Sequence, residues 1–415
     1  MIKINTLLVL MLIVPAMASA HTKKMTFNEA INIAYKNSPI IKAQIAQIHK
    51  AQGKLTQSTL LPNPQVSAEF ENISGSGAYN NFNSAETTFS IQQPIVLGGR
   101  LDAQGRANTK YVHVQQAQLE ALKSNVYRQV GEAYINLLYG QRWVQVAKKL
   151  VHLNERIVQS ITTRMKAGAS SKVDLKLAQV ALGESKITLI RARRKQAALQ
   201  IQLVNLLNIR SKHPLVVSDS GVPHRFRSWK SILSTANESN FLVVQRVLIE
   251  ANKSKIIADK KQAWPNLNAA LGMRHFSATD DNALVASLSM NLPIFNYNQG
   301  TVKSSQSVYS KSIFDYRQAA LKLNSELRTY YLDAVQNQEE AQIVTRDLLP
   351  TAKSAVHLAR KGYAAGRYSY LQLANAMRML LNEEKHFIDA HAKLDKAIIN
   401  IKGLTLSTFR STHVK

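Results

Sequence analysis

The sequence predicts a mainly α-helical protein with a small β part, built from two copies of one plan. Three observations predict it. Matching residues recur in the same order at an offset of roughly 200 positions, the signature of an internal repeat. Long proline-free stretches carry helical periodicity, and in each half that period gives way to strict alternation before returning. With 16 Gly and 10 Pro in 415 residues, the chain is too poor in both to be largely disordered.

The N-terminus sets the compartment. Lys3 is a short positive region, Leu7 to Val14 is an unbroken apolar run, and Ala18-Ser19-Ala20 is a small-x-small cleavage site before His21. Residues 1–20 therefore read as a signal peptide, because the apolar run is shorter than the ~20 residues that a spanning helix needs. No later apolar run approaches that length. The net charge of +27, from 53 Lys+Arg against 26 Asp+Glu, suits nucleic acid, an anionic membrane surface or anionic solutes. Export removes nucleic acid from that set. The absence of cysteine excludes disulfide scaffolds, thiolate metal sites and cysteine nucleophiles.

Residues 21–208 form the first repeat, 209–239 a linker with one short helix around Ser228 to Glu238, 240–406 the second repeat, and 407–415 a tail. Asn37 to Asn63 aligns without gaps on Asn240 to Asn266, Pro94-Ile95 on Pro293-Ile294, and Gly99 on Gly300. In the first repeat, residues 25–61 are helical up to Pro62-Asn63. A hairpin over 65–93 follows: Val66, Ala68 and Phe70 alternate with polar neighbours, a Gly/Ser/Asn loop intervenes, and Thr87, Phe89 and Ile91 alternate again. In the second hairpin, over 267–292, Leu267, Ala269, Leu271 and Met273 alternate with Asn268, Ala270, Gly272 and Arg274, a short turn follows, and Leu284, Ala286, Leu288, Met290 and Leu292 alternate with polar or small residues. Strands of about ten residues fit a tilted transmembrane β-strand, and equally a soluble hairpin.

Helical hairpins over 101–208 and 300–406 complete the repeats. Leu101 to Lys166 contains no proline and spans about 100 Å as a helix. In the second repeat Ile313, Tyr316, Ala320, Leu323, Leu327, Tyr330, Ala334, Ala341, Val344 and Leu348 step by threes and fours, the pattern of coiled-coil packing. Pro350 must kink or restart that helix. Gly168 and Gly366 suit left-handed C-terminal caps, and Ser171-x-x-Asp174 and Ser369-x-x-Gln372 have capping-box spacing for the return helices. Four strands cannot close a membrane barrel, so strands that span lipid must share a barrel between chains: eight strands from two copies, twelve from three.

Leu61-Pro62-Asn63-Pro64, Gln93-Pro94-Ile95-Val96-Leu97-Gly98-Gly99-Arg100 and Tyr363-x-x-Gly366 with Leu371-x-Leu373, set in this repeated plan, resemble the TolC family of outer membrane efflux proteins. The Pro-Asn-Pro and Leu-Gly-Gly-Arg elements are most similar to its cobalt-zinc-cadmium branch. The resemblance implies a homotrimeric twelve-stranded barrel in outer membrane lipid, on an α-helical tunnel in the periplasm. It also implies a periplasmic adaptor and an inner-membrane pump of the resistance-nodulation-division type. Many relatives carry a lipidated N-terminal cysteine; this chain has none and is expected not to be acylated.

In the family the tunnel closes at the periplasmic turns. Asp174 stands where the first turn carries a gating aspartate, and Tyr363 where the second carries a bridging tyrosine. Gln372 and Asn375 occupy the positions of the narrowest acidic ring, which argues against an acidic constriction here. Capping alone accounts for the spacing of Asp174 and Gln372. Arg164, Lys166, Lys172, Arg360, Lys361 and Arg367 crowd the same turns and read as adaptor contacts, anion attractors or solvated surface. His386-x-x-Asp389-x-His391 is the nearest approach to a ligand set, at a spacing poorly placed on one helical face. Tyr35, Tyr79, Phe82 and Phe89 are candidates for an aromatic girdle and, equally, for packing. No nucleophile with its base, phosphate loop or catalytic carboxylate pair is present, so neither enzyme activity nor a cofactor is expected. The function expected is a passive exit duct, for heavy-metal ions, drugs or type I protein secretion. Its rival is a soluble periplasmic coiled-coil adaptor.

Overall fold

Helix, strand pair and long helical hairpin follow one another twice in the computed structural model, which describes residues 24–210 and 214–409. The expected signal peptide, and the tail beyond residue 409, lie outside the described residues. The first helical stretch is two helices, α1 (Phe27–Asn37) and α2 (Pro39–Thr59). A capping box starts α1, with Thr26 Oγ accepting from Glu29 N–H and the Glu29 carboxylate accepting from Thr26 N–H. The break at Ser38 follows from Pro39, whose ring excludes the helical conformation from the residue before it; Ser38 sits at φ −57°, ψ 121°.

Strands β1 (Gln65–Glu71), β2 (Glu86–Val96), β3 (Asn266–Phe276) and β4 (Asp281–Met290) form one antiparallel sheet in sequence order. The two hairpins are therefore joined, β2 to β3, across the repeats. The register sets Ala68, Phe89, Met273 and Leu284 in one row and Val66, Ile91, Leu271 and Ala286 in the next, so the apolar sets of all four strands share a face. That face is bare in the single chain: Phe89 is 60% and Leu288 74% exposed. On the other face Ser67 and Ser90 share a hydrogen bond of 2.8 Å, and Arg274 donates to Thr88 and Glu86 and pairs with Glu71. Strand β2 runs past the expected Gln93 through Pro94. Its pairing with β1 ends at Gln92, so the missing N–H of Pro94 breaks no ladder there. Between β1 and β2 two short 3₁₀ turns, Gly77–Tyr79 and Asn81–Ser84, fill the loop.

Helix α3 (Arg100–Lys166) leaves the sheet through Gly98 and Gly99, at φ +71° and +65°. A Cβ on Gly98 would lie 2.1 Å from the Trp264 ring. Arg100 then donates to Gln262 Oε1 (2.7 Å), Trp264 O (3.1 Å) and Asn266 Oδ1 (2.7 Å), tying the end of one repeat's sheet segment to the start of the other's. The second repeat does not use Gly300 for this turn. Asn298 takes the left-handed conformation at φ 64°, and Gly300 lies inside α7 (Gln299–Ile343). Asparagine tolerates that region better than most residues, and here its side-chain amide is held by donating to Asp259 O of α6 at 2.7 Å.

Helix α3 packs along α4 (Lys172–Leu207), α6 (Asn240–Lys261), α2 and α9 (Tyr370–Leu404). At its middle Tyr134, Ile135 and Leu137 are buried with Phe27, Leu203, Leu207 and Ile399. The Tyr134 hydroxyl lies 2.7 Å from Met25 O and 2.6 Å from Ser218 O, which pins the segment before α1 and the linker to α3; burial pushes its phenol up to about 12. Tyr35 belongs to this core rather than to a girdle. Its ring packs from α1, and burial raises its phenol to about 12. Tyr79 and Phe82 are exposed on the β1–β2 loop. The linker helix α5 (Trp229–Ala236) is shorter than expected, with Asn237 at its C-cap.

In α7, Leu323, Leu327, Ala334 and Ala341 are buried, and Asn337 among them donates to Asp333 O at 2.6 Å. The helix does not simply kink at Pro350. A π-turn, Val344–Leu348, precedes α8 (Leu349–Ala364), which places Pro350 in its first turn. The extra residue of the π-turn removes the conflict between the proline ring and the carbonyl behind it.

Close helix packing generates a stability prediction. A Cβ on Gly131 of α3 would lie 2.5 Å from Ile399 Cγ2, a stiff branched side chain in the core. Gly131→Ala should cost about 1–3 kcal/mol through overpacking. Gly183 of α4 has nothing within 4 Å of its would-be Cβ. Gly183→Ala should be neutral or gain about 0.5–1 kcal/mol from helix propensity. Thermal unfolding of the two variants checks this, and equal melting points would contradict the assigned packing.

Candidate functional site at the helical turns

The hairpins α3–α4 and α8–α9 end far from the sheet in two turns of the same design. Gly168 (φ +73°) and Gly366 (φ +74°) are left-handed caps. In the first, Ala169 N–H bonds Arg164 O and Gly168 N–H bonds Met165 O; in the second, Arg367 N–H bonds Gly362 O and Gly366 N–H bonds Tyr363 O. Both are Schellman motifs, which satisfy helix carbonyls that would otherwise lack donors. The return helices open on capping boxes, Ser171 with Asp174 and Ser369 with Gln372.

A polar chain joins the two turns. The Ser170 hydroxyl lies 3.2 Å from Asp174 Oδ2 and 3.1 Å from the Tyr363 hydroxyl. Asp174 thus caps α4 and, through Ser170, reaches the second hairpin. Arg164, read from the sequence only as one of a basic crowd, is the other bridge. Its guanidinium donates to Ala364 O at 2.6 Å, reaches Ala169 O at 3.5 Å and lies 5.2 Å from the centre of the Tyr363 ring. Tyr363 meets Tyr370 edge-on at 6.3 Å, above buried Ile161, Ala178 and Leu373. Burial raises the Tyr370 phenol.

The remaining candidates are not part of this junction. Gln372 is held in its capping box, with Ser369 N–H donating to its Oε1 at 2.9 Å. Asn375 accepts from Arg378, one turn along α9, at 3.0 Å. Arg367 is exposed and contributes to the turn through its backbone N–H. Lys166, Lys172, Arg360 and Lys361 are also exposed. The position of Arg164, four residues before Gly168, is the only local signal that could have singled it out. Its acceptor, Ala364 O, lies 200 positions away.

His386, Asp389 and His391 are not brought together. His386 faces Glu383, while the His391 ring lies tilted against Phe387, centroids 4.4 Å apart, and 3.5 Å from Thr345; burial holds the His391 imidazole below its ordinary value. Among the described residues no group of three His, Asp or Glu side chains is placed to hold a metal ion.

Two axially separated features thus define the chain: an amphipathic sheet at one end and a polar, cross-linked pair of turns at the other. The cobalt-zinc-cadmium resistance protein CzcC of Cupriavidus metallidurans is 23% identical over 376 residues, covering 90% of this chain and 88% of CzcC. The structure of CusC superposes with a TM-score of 0.75 at 16% identity, over 91% of each chain. The open state of the Neisseria gonorrhoeae outer membrane channel MtrE superposes with a TM-score of 0.73 at 15% identity, over 94% of this chain and 91% of MtrE. The family description of outer membrane efflux proteins matches residues 30–208 and 233–405, spanning both repeats. The chain belongs to the outer membrane efflux protein family, which makes it an exit duct set in the outer membrane and reaching into the periplasm.

Proposed function

We propose that three copies of this chain close a twelve-stranded barrel and form the passive duct of a tripartite heavy-metal efflux system. The single observation that carries the trimer is the four-stranded sheet with two open edges, β1 and β4, and one continuous apolar face. In lipid those edges need partners, and copies of the same sheet supply them. Repeats 21–208 and 240–406 then stand as near-equivalent units around the axis, so that three chains approximate six. Energy comes from an inner-membrane pump of the resistance-nodulation-division type, reached through a periplasmic adaptor.

Two features support metal cations as cargo. One is the similarity to CzcC, a cobalt-zinc-cadmium resistance protein, over 90% of this chain. The other is the polar face of the sheet, where Glu69, Glu71 and Glu86 meet a single cation, Arg274. A lumen lined in this way favours cations at the exit. At the opposite end Asp174, Ser170, Tyr363 and Arg164 form the gate latch. Gln372 and Asn375 make a neutral constriction, and Arg367 faces the adaptor. Gly168 and Gly366 shape the turns.

The gate is tested in planar bilayers. Asp174→Ala with Tyr363→Phe should raise the conductance of the closed pore, and adding Arg164→Gln should raise it further. Loss of a capping carboxylate costs only ~1 kcal/mol of local helix stability, so a large conductance change would not reflect unfolding. Unchanged conductance in the triple variant would reduce these residues to helix caps.

The sheet is tested by charge placement. Phe89→Arg or Leu288→Arg, on the apolar face, should cost about 2–4 kcal/mol at the bilayer midplane and abolish assembled protein in outer membrane fractions. Ser90→Arg or Ser289→Arg, on the polar face, should assemble. Equal loss on both faces would refute the assignment of lipid and lumen sides.

A further inference from the structure

The linker between the repeats builds a cationic cavity midway along the helical body. Its volume is 460 Å³, and Arg225 and Arg227 of the linker and Lys402 of the last turn of α9 line it together with Phe226 and Ser407. No Asp or Glu is among the lining residues. Among the described residues Arg225 and Arg227 have no ion-pair partner, and the Lys402 ammonium lies over the Tyr127 ring at 5.8 Å.

The nearby carboxylates are committed elsewhere. His224 is clamped between two of them, with Nδ1 2.9 Å from Asp395 Oδ1 and Nε2 3.4 Å from Asp219 Oδ1. Buried Asp395 also accepts from Tyr139 at 2.7 Å, and Asp219 accepts from Arg142 at 2.8 Å. Phe226 packs edge-on against Tyr331 at 5.7 Å. His224 and Phe226 therefore anchor the linker, and Arg225 between them and Arg227 after them are exposed. Three like charges gathered on a firmly held frame repel one another unless an anion joins them.

We propose that this cavity binds carboxylate groups of the cell-wall peptidoglycan, fastening the duct to the wall that its periplasmic body crosses. The wall's peptide stems carry carboxylates. Guanidinium forks at Arg225 and Arg227 match carboxylate geometry, and the Phe226 ring offers an apolar surface beside them. The proposal rests on the periplasmic placement of the helical body and on neither the gate nor the cargo.

The test is co-sedimentation of the full-length, detergent-solubilised protein with purified insoluble peptidoglycan sacculi. Wild type should pellet with sacculi. Arg225→Gln, Arg227→Gln and Lys402→Gln combined should reduce the pelleted fraction about fivefold or more, as loss of a focused charge site requires. Arg191→Gln, Arg193→Gln and Arg194→Gln combined, an equal charge loss on exposed α4, should leave most of it. Single-channel conductance identifies folded duct in each preparation, which separates failure of this site from failure of the duct assignment. If the cavity variant does not fold, wild type with carboxyl-amidated sacculi gives the same answer: retention must fall. Equal loss in both triple variants, or retention unaffected by amidation, would overturn the proposal. So would wild type that stays in the supernatant. Retention competed away by inorganic phosphate but not by acetate would assign the cavity to phosphate-bearing anions instead, and would equally overturn it.

Discussion

Backbone N–H and C=O groups have no solvent partner in hydrocarbon, and each one left unpaired there costs several kcal/mol. The rest of this molecule is arranged around that constraint. The four strands pair with one another in sequence order, which satisfies the three inner ladders and leaves β1 and β4 open. Among the described residues nothing pairs with those edges, and the apolar face above them is bare. The proposed barrel solves both problems with one operation, because rotation of the same sheet pairs β4 with β1 and turns every apolar row outward.

A shared barrel needs its strands held in register before the copies meet. Here the helices contribute directly. Arg100 binds the residues that open β3, which locks the first turn between sheet and helix to the opposite repeat, and Asn298 binds Asp259 at the end of α6, which locks the second turn within its own repeat. Further along, Tyr134 gathers Met25, just before α1, and the linker onto α3. At the distal turns Arg164 and the Ser170–Tyr363 contact join the two hairpins. Each cross-link ties residues from different repeats or segments, so the chain behaves as a single long strut and not as two loosely joined halves. That rigidity suits a conduit whose two ends must remain aligned across the periplasm.

Much of this was legible because its signals are local. Alternation from Val66 to Phe70 and from Leu284 to Met290 marks both faces of a strand within a few residues. Gly168, Gly366 and the serines three positions later identify the turns and the restarting helices on their own. The pairing of β2 with β3 was not legible, since no local pattern says which edges of two hairpins meet. Nor was the role of Arg164, which depends on a carbonyl 200 positions away. Tyr35 stayed open between girdle and core for a related reason: aromatic composition says that a ring seeks partial burial and does not say whether lipid or a helical core supplies it. The turn at Asn298 was missed because alignment to Gly99 favoured the nearest glycine, although asparagine meets the same left-handed requirement. The break at Ser38 was readable from Ser-Pro and was passed over in favour of helical periodicity.

The central claim is that one chain carries only a third of a barrel, and the mass of the folded particle tests it most directly. Full-length protein, extracted in mild detergent and weighed with the detergent contribution removed, should be three chains, with no folded, membrane-inserted single chain at any dilution that preserves β-sheet signal. A stable folded monomer that inserts into lipid would contradict the account, because its open edges at β1 and β4 would then be tolerated in the bilayer.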